Sequence, residues 1–225
     1  MANMKRYVFL ILTLSLYTSL PVMSEELDRY LASKGLVNVM EEDSTMRVEL
    51  KYATDDNIFG KAVYTGITGA WLHPDAVVKL LKAQRLLQAT HPGYSLLIYD
   101  AARPMSVQRA MWNLVRGTNK TNYVSNPANG GGLHNYGMAV DVTITDPAGN
   151  PLPMGTPFDY FGEAAHTNNE AALLQSGKIS SEANKNRLLL REVMTKSGFT
   201  TILYEWWHFN ACLRPYARAH YPLID

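Results

Sequence analysis

Cysteine is almost missing from this sequence: its 225 residues contain one, Cys212, so no internal disulfide can form and a hydrophobic core must hold the fold. Runs of positive charge are missing too. Lys and Arg number 21 against 20 Asp and Glu, a formal net charge of +1, and no basic block of the kind that neutralises phosphates occurs, which speaks against nucleic acid and anionic membrane surfaces as partners. From residue 25 onward there is no internal repeat, low-complexity tract or Pro/Ser-rich linker, and a chain of this length supports one well-filled core, so one domain is expected. No apolar run reaches the roughly 20 residues that cross a bilayer. The apolar stretch of residues 7–20 follows Lys5 and Arg6, stops at Pro21 and is succeeded by Val22, Met23 and Ser24. That pattern is read as a signal peptide over residues 1–24, cut before Glu25, which leaves a mature chain without a stable membrane association. No cysteine near the cut indicates a lipid anchor.

What remains has regular periodicity. Val77, Leu80, Leu81 and Leu87 fall at helical spacing over residues 75–90, and His91, Pro92 and Gly93 stop the run. Residues 94–99 are aromatic and aliphatic and too few for a helix, so they read as a buried strand. Val107, Ala110, Met111, Leu114 and Val115 give a second helical face, ended by Gly117. Residues 118–132 are polar with three consecutive glycines and read as a loop. Over residues 139–145, Val140, Val142 and Ile144 alternate with Asp141, Thr143 and Thr145, the pattern of a half-buried strand. An irregular segment is expected over 146–178, a third helix over 181–197 closed by Gly198, and a strand over 200–209. Two helices before the loop and one between the last strands favour an α+β domain with a central antiparallel sheet over a doubly wound one.

Three segments hold nearly all the residues suited to chemistry: GGLHNYGMAVDVTI at 131–144, YEWWHFN at 204–210 and YDAARPMS at 99–106. A catalytic zinc needs three protein ligands and an open position for water. His134, Asp141 and His208 supply such a set, with Gly137 allowing the chain to fold back between the first two. Asp141 interrupts a strand-forming run, where a carboxylate needs a cation or donors to offset its desolvation. Glu205 adjoins two tryptophans, a setting that raises a carboxyl pKa toward the range of a general base. It stands three residues before His208, however, and on a flat strand those two would face opposite ways, so a bend or bulge near Trp206 is required. Arg103, between a strand and Pro104 at a helix start, is placed to stabilise an oxyanion. Taken singly, each has an ordinary account: His134 as a surface histidine, His208 as a core residue, Glu205 as an ion-paired carboxylate, and Arg103 as the partner of Asp100.

Together the three segments resemble the D-alanyl-D-alanine dipeptidases, a branch of the zinc peptidases that also includes D-alanyl-D-alanine carboxypeptidases, lysostaphin-type endopeptidases and hedgehog domains. The resemblance covers residues 48–208. It implies that fold, one Zn2+ per chain held by His134, Asp141 and His208, Glu205 as catalytic base and Arg103 as transition-state stabiliser. It further implies a small dipeptide as substrate, with Asp159 in PFDYFGEAAH (157–166) receiving its ammonium and Tyr52 in KYATDDNIFG (51–60) lining the pocket. One position departs from the family pattern: the serine expected two residues before the first histidine is Gly132. With the export signal, the resemblance implies a periplasmic enzyme of wall-peptide turnover or D-alanine scavenging. The competing readings are a carboxypeptidase or endopeptidase acting on longer wall peptides, and a zinc-bearing wall-binding module without catalysis.

Overall fold

Among the described residues, apolar and β-branched side chains are dense over 95–100 and 139–145, and these two stretches pair at the centre of the sheet. The computed structural model describes residues 26–225; the expected signal peptide, residues 1–24, lies outside them. In chain order the elements are α1 (Glu26–Ser33), β1 (Val37–Asn38), α2 (Val39–Glu42), β2 (Arg47–Val48), β3 (Trp71–Leu72), α3 (Pro74–Thr90), β4 (Ser95–Asp100), α4 (Met105–Val115), β5 (Ala139–Thr145), α5 (Glu170–Gln175), α6 (Ser181–Lys196), β6 (Thr200–Thr201), β7 (His208–Asn210) and α7 (Arg214–His220). A five-stranded sheet runs β2-β4-β5-β7-β6, and a two-stranded ribbon pairs β1 with β3. The fold is α+β, as expected. The sheet is antiparallel except at its edge, where the short β2 pairs with β4 in parallel.

Helices α3 and α6 pack on each other and on the sheet through Val77, Leu80, Leu87, Leu190 and Met194. Their starts follow from local chemistry. His73 caps α3 by accepting from the Asp75 amide at 3.2 Å, with Pro74 in the first turn, and the Ser180 hydroxyl caps α6 by accepting from Ala183 N at 3.0 Å. The irregular segment expected over 146–178 contains the short α5, and α7 was not foreseen. Among the described residues, no helix is long and apolar enough to cross a membrane.

Two strand expectations need correction. β5 is buried on both faces: Asp141, Thr143 and Thr145 are as enclosed as the valines, because the 151–158 segment, with Leu152 and Phe158, and Trp206 close over the polar face. Alternation marked a change of chemistry along β5, not a change of solvent exposure. The second correction concerns residues 200–209, which form two short strands joined by a bend over 202–207. Glu205 therefore precedes β7 and is freed from the two-residue alternation that made its approach to His208 difficult.

Two features of the ladder position the site. Asp141 of β5 stands directly opposite His208 of β7, and directly opposed residues share one face of a sheet. On the other side the β4–β5 register shifts between Ile98 and Asp100, so that Tyr99 is the extra residue of a bulge and Asp100, not Tyr99, faces Asp141. Asp100, Asp141 and His208 thus form a row across three strands.

Gly137 links this row to the turn before β5. Its φ is +64°, its carbonyl accepts from His73 N at 2.9 Å, and a Cβ placed on it would lie 2.9 Å from that same backbone nitrogen and 3.0 Å from Leu36 Cδ2. A side chain there meets both left-handed strain and a wall of backbone. Gly137→Ala should lower stability by about 2 kcal/mol or more, read as a melting temperature lower by about 5 °C or more. An unchanged melting temperature would show that the turn does not need glycine.

Candidate metal centre

His134 lies in a 3-10 turn, Leu133–Tyr136, that Asn135 pins in place. The fully buried Asn135 side chain accepts from Gly132 N at 2.7 Å and donates to the Arg103 carbonyl at 2.7 Å, joining the turn to the segment after β4. The His134 carbonyl accepts from Arg103 N at 2.9 Å, which doubles the link. His134 is thereby swung inward over the Asp141–His208 pair, and it is buried, not a surface histidine.

Three ligand atoms meet. His134 Nε2 lies 3.2 Å from His208 Nδ1 and 3.4 Å from Asp141 Oδ1, and His208 Nδ1 lies 2.9 Å from Asp141 Oδ1. The outer ring nitrogens are occupied: His134 Nδ1 is 2.7 Å from the Ala101 carbonyl, and His208 Nε2 is 2.8 Å from Asn210 Oδ1. The Ala101 carbonyl can only accept, so His134 Nδ1 donates to it and Nε2 is the nitrogen turned toward Asp141 and His208. Two imidazole nitrogens and a carboxylate oxygen converge on one point, and a cation is the complement of such a set. The size agrees as well, since zinc–nitrogen bonds of about 2.0–2.1 Å set tetrahedral edges of about 3.3 Å. The residues fit a zinc ion, and among the described residues they are the one group of this kind.

Without a cation the electrostatics are strained. Burial disfavours charged His134, but the Asp141 carboxylate outweighs it and the imidazole pKa is raised. Burial likewise works against ionised Asp141, yet His134 and His208 together hold its pKa well below the ordinary range.

These groups line a cavity of about 340 Å³ shared with Glu205, Arg103, Asp159 and Tyr52. Glu205 is partly buried on the bend, beside Trp206, whose Nε1 donates to Thr156 Oγ1 at 2.8 Å, and Trp207, which lies edge-on to it. Desolvation there pushes its carboxyl up to about 8, with His208 opposing and Asp141 and Asp159 adding to the rise. It has no ion-pair partner among the described residues, so the ordinary account of this carboxylate does not hold. Arg103 serves two ends at once. It donates to Asp100 through Nη2 and to Gln108 Oε1 through Nη1 at 3.0 Å, while its buried Nε has no partner among the described residues. Asp159 sits in a left-handed conformation, φ +58°, an uncommon state for an aspartate. Its carboxylate accepts from Tyr52 OH at 2.8 Å and Ile58 N at 3.2 Å, and burial raises its pKa to about 7 despite both bonds.

All seven residues singled out in the sequence thus reach one cavity. The pairing of Arg103 with Asp100 expected from the sequence is present; those missed are the other supports, Gln108, Asn135, Asn210 and Ser125. Nothing in the spacing of an Asn or Gln within a helical or glycine-rich stretch marks it as buried. At Gly132, the room for a side chain is filled by Ser125, whose Oγ would lie 2.8 Å from a Cβ placed there.

The family model Peptidase_M15, described as D-ala-D-ala dipeptidase, matches residues 32–224. The chain belongs to the M15 peptidase family. Its similarity is to a D-alanyl-D-alanine dipeptidase of Escherichia coli K12, 38% identical over 179 residues covering 80% of this chain and 83% of the relative. A D-alanyl-D-alanine dipeptidase of Enterococcus faecium is 30% identical over 199 residues, 78% of this chain and 91% of the relative. One from Enterococcus faecalis is 27% identical over 195 residues, 78% and 91% of the two chains. As an M15 peptidase the chain is an enzyme of the metallopeptidase class.

The raised Glu205 carboxyl has a measurable consequence in the metal-free protein. Its folded value, about 8, exceeds the ordinary 4.5, so the folded chain holds the proton more tightly than the unfolded chain. That stabilisation is complete below pH 4.5 and is lost as pH rises to about 8. Metal-free Glu205→Gln escapes this loss, and its melting temperature should gain on that of the unsubstituted chain across this interval. A gap that stays constant with pH would remove the desolvation argument.

Proposed function

We propose that this chain hydrolyses the dipeptide D-alanyl-D-alanine to two D-alanines, with a zinc ion held by His134, Asp141 and His208. The observation that carries this is the triangle of two imidazole nitrogens and a carboxylate oxygen, none more than 3.4 Å apart, opening on the cavity that holds Glu205 and Asp159. The printed names of the relatives supply the substrate. Zinc in that position contributes Lewis acidity, bringing water toward ionisation near neutral pH and polarising the scissile carbonyl.

The chain's own residues do the rest. Glu205, which lines the same cavity as the three ligands, takes the proton of the attacking water and delivers it to the leaving amine. Arg103 is already oriented by Asp100 and Gln108 and lines the cavity, where its guanidinium supports the developing oxyanion. Asp159 is a buried carboxylate whose two hydrogen bonds do not neutralise it; the ammonium of a free dipeptide provides the missing charge and Tyr52 holds the carboxylate toward it. This fixes the distance from the amino terminus to the scissile bond and restricts cleavage to dipeptides. Exported through residues 1–24, the enzyme meets its substrate in the periplasm, where it serves wall-peptide turnover or recovery of D-alanine.

Glu205→Ala should retain zinc by metal analysis yet lose turnover by a factor of about 100 to 10,000; near-normal hydrolysis would remove Glu205 from the mechanism. An N-acetylated dipeptide should resist cleavage, and a chain that hydrolyses it as fast as the free dipeptide is a carboxypeptidase or endopeptidase instead. Cell fractionation should find the shortened chain in the periplasm, and full-length chain in the cytosol would refute export.

A further inference from the structure

One wall of the cavity is the loop between α4 and the His134 turn, which contributes Tyr123, Val124, Ser125 and Gly132. A single buried side chain joins this wall to Arg103. Gln108, in the first turn of α4, is fully buried, and both ends of its amide are used: Oε1 accepts from Arg103 Nη1 at 3.0 Å and Nε2 donates to the Ser125 carbonyl at 2.7 Å. Ser125 in turn packs against Gly132, two residues before His134, leaving a Cβ there only 2.8 Å from its Oγ and 3.3 Å from its Cβ. The chain of contact therefore runs from Arg103 through Gln108 to the loop wall and back to the metal-ligand turn.

The chemistry of the group is specific to this task. An amide accepts from a guanidinium at one end and donates to a carbonyl at the other; a carboxylate keeps the first contact and loses the second, and a thioether keeps neither. A buried amide also resists half-satisfaction, because either bond left unmade costs the desolvation of that atom. With Asp100 on Nη2 and Gln108 on Nη1, the guanidinium is held at both tips, and its plane at the cavity wall is set by them.

We propose that Gln108 is a positioning residue of this active site: it sets the aim of Arg103 and, through the Ser125 carbonyl, fixes the loop wall that flanks the substrate. The proposal rests on the assignment of Arg103 to the transition state.

The test uses the zinc-loaded mature enzyme with D-alanyl-D-alanine. Gln108→Met removes both contacts and should reduce kcat roughly 10- to 100-fold, the range for loss of a hydrogen bond to a charged group. Gln108→Glu preserves the contact to Arg103 and sets two oxygens against each other at Ser125, so KM should rise about tenfold while kcat stays within about threefold. In an Arg103→Ala background Gln108→Met should bring no further loss of kcat, since its effect passes through the guanidinium. An unchanged kcat in Gln108→Met, or a loss that multiplies in full with Arg103→Ala, overturns the role of Gln108 and leaves Arg103 in place. Normal turnover in Arg103→Ala alone overturns the assignment of Arg103 and the proposal with it. If Gln108→Met fails to fold, Gln108→Glu decides alone, and a KM equal to that of the unsubstituted enzyme overturns the proposal.

Discussion

Asp141 and His208 face each other across the β5–β7 ladder, and the site exists only in that register. Side chains alternate along a strand, so a slip of one residue in either partner would send one of the two donors to the opposite face of the sheet. The register is held by what surrounds it: Val140 pairs with Phe209 on the other face, both fully buried, and a slip would force polar groups into that core. The bulge at Tyr99 extends the same row to Asp100. Burial of a hydrophobic face thereby fixes the position of the polar one, and the chemistry inherits the precision of the packing.

The third donor comes from outside the sheet, and its placement has different physics. His134 is carried by a turn whose geometry depends on glycine at 137 and on the amide of Asn135, which ties the turn to the backbone of Arg103. Loops are the usual carriers of binding residues, but a loop supplies a ligand atom accurately only when its backbone is anchored to a rigid element. Here the anchor is the segment leaving β4, so the strand that carries Asp100 also orients His134, through the Ala101 carbonyl, and Arg103.

The cavity gathers more negative than positive groups. Asp141, Asp159 and Glu205 line it with Arg103, and burial raises two of these three carboxyls, Asp159 to about 7 and Glu205 to about 8. Such a cavity is complementary to cations at two points, the three-ligand triangle and the carboxylate of Asp159. Low dielectric strengthens each attraction relative to water.

Residues far apart in the chain but close in type were legible from the start. The helices over 75–90 and 181–197, the two central strands and the α+β class follow from periodicity, five of the seven candidate side chains from the chemistry that their motifs suit, and Asp159 and Tyr52 from the family resemblance alone. Alternation along β5 was misread as exposure, because a covering segment such as 151–158 leaves no trace in the strand that it covers. The approach of Glu205 to His208 was undecidable, since a bend is set by tertiary packing of Trp206 and Trp207 and not by local preference. The supports, Gln108 and Asn135 above all, were invisible for a related reason: an amide is as common on a surface as in a core, and only a folded neighbourhood decides that both its ends are taken. The sequence by itself thus determined which groups were available and roughly which elements bear them. Tertiary structure alone decided register, burial and second partners, because those depend on contacts between residues that local periodicity does not relate, some of them 33 to 107 positions apart.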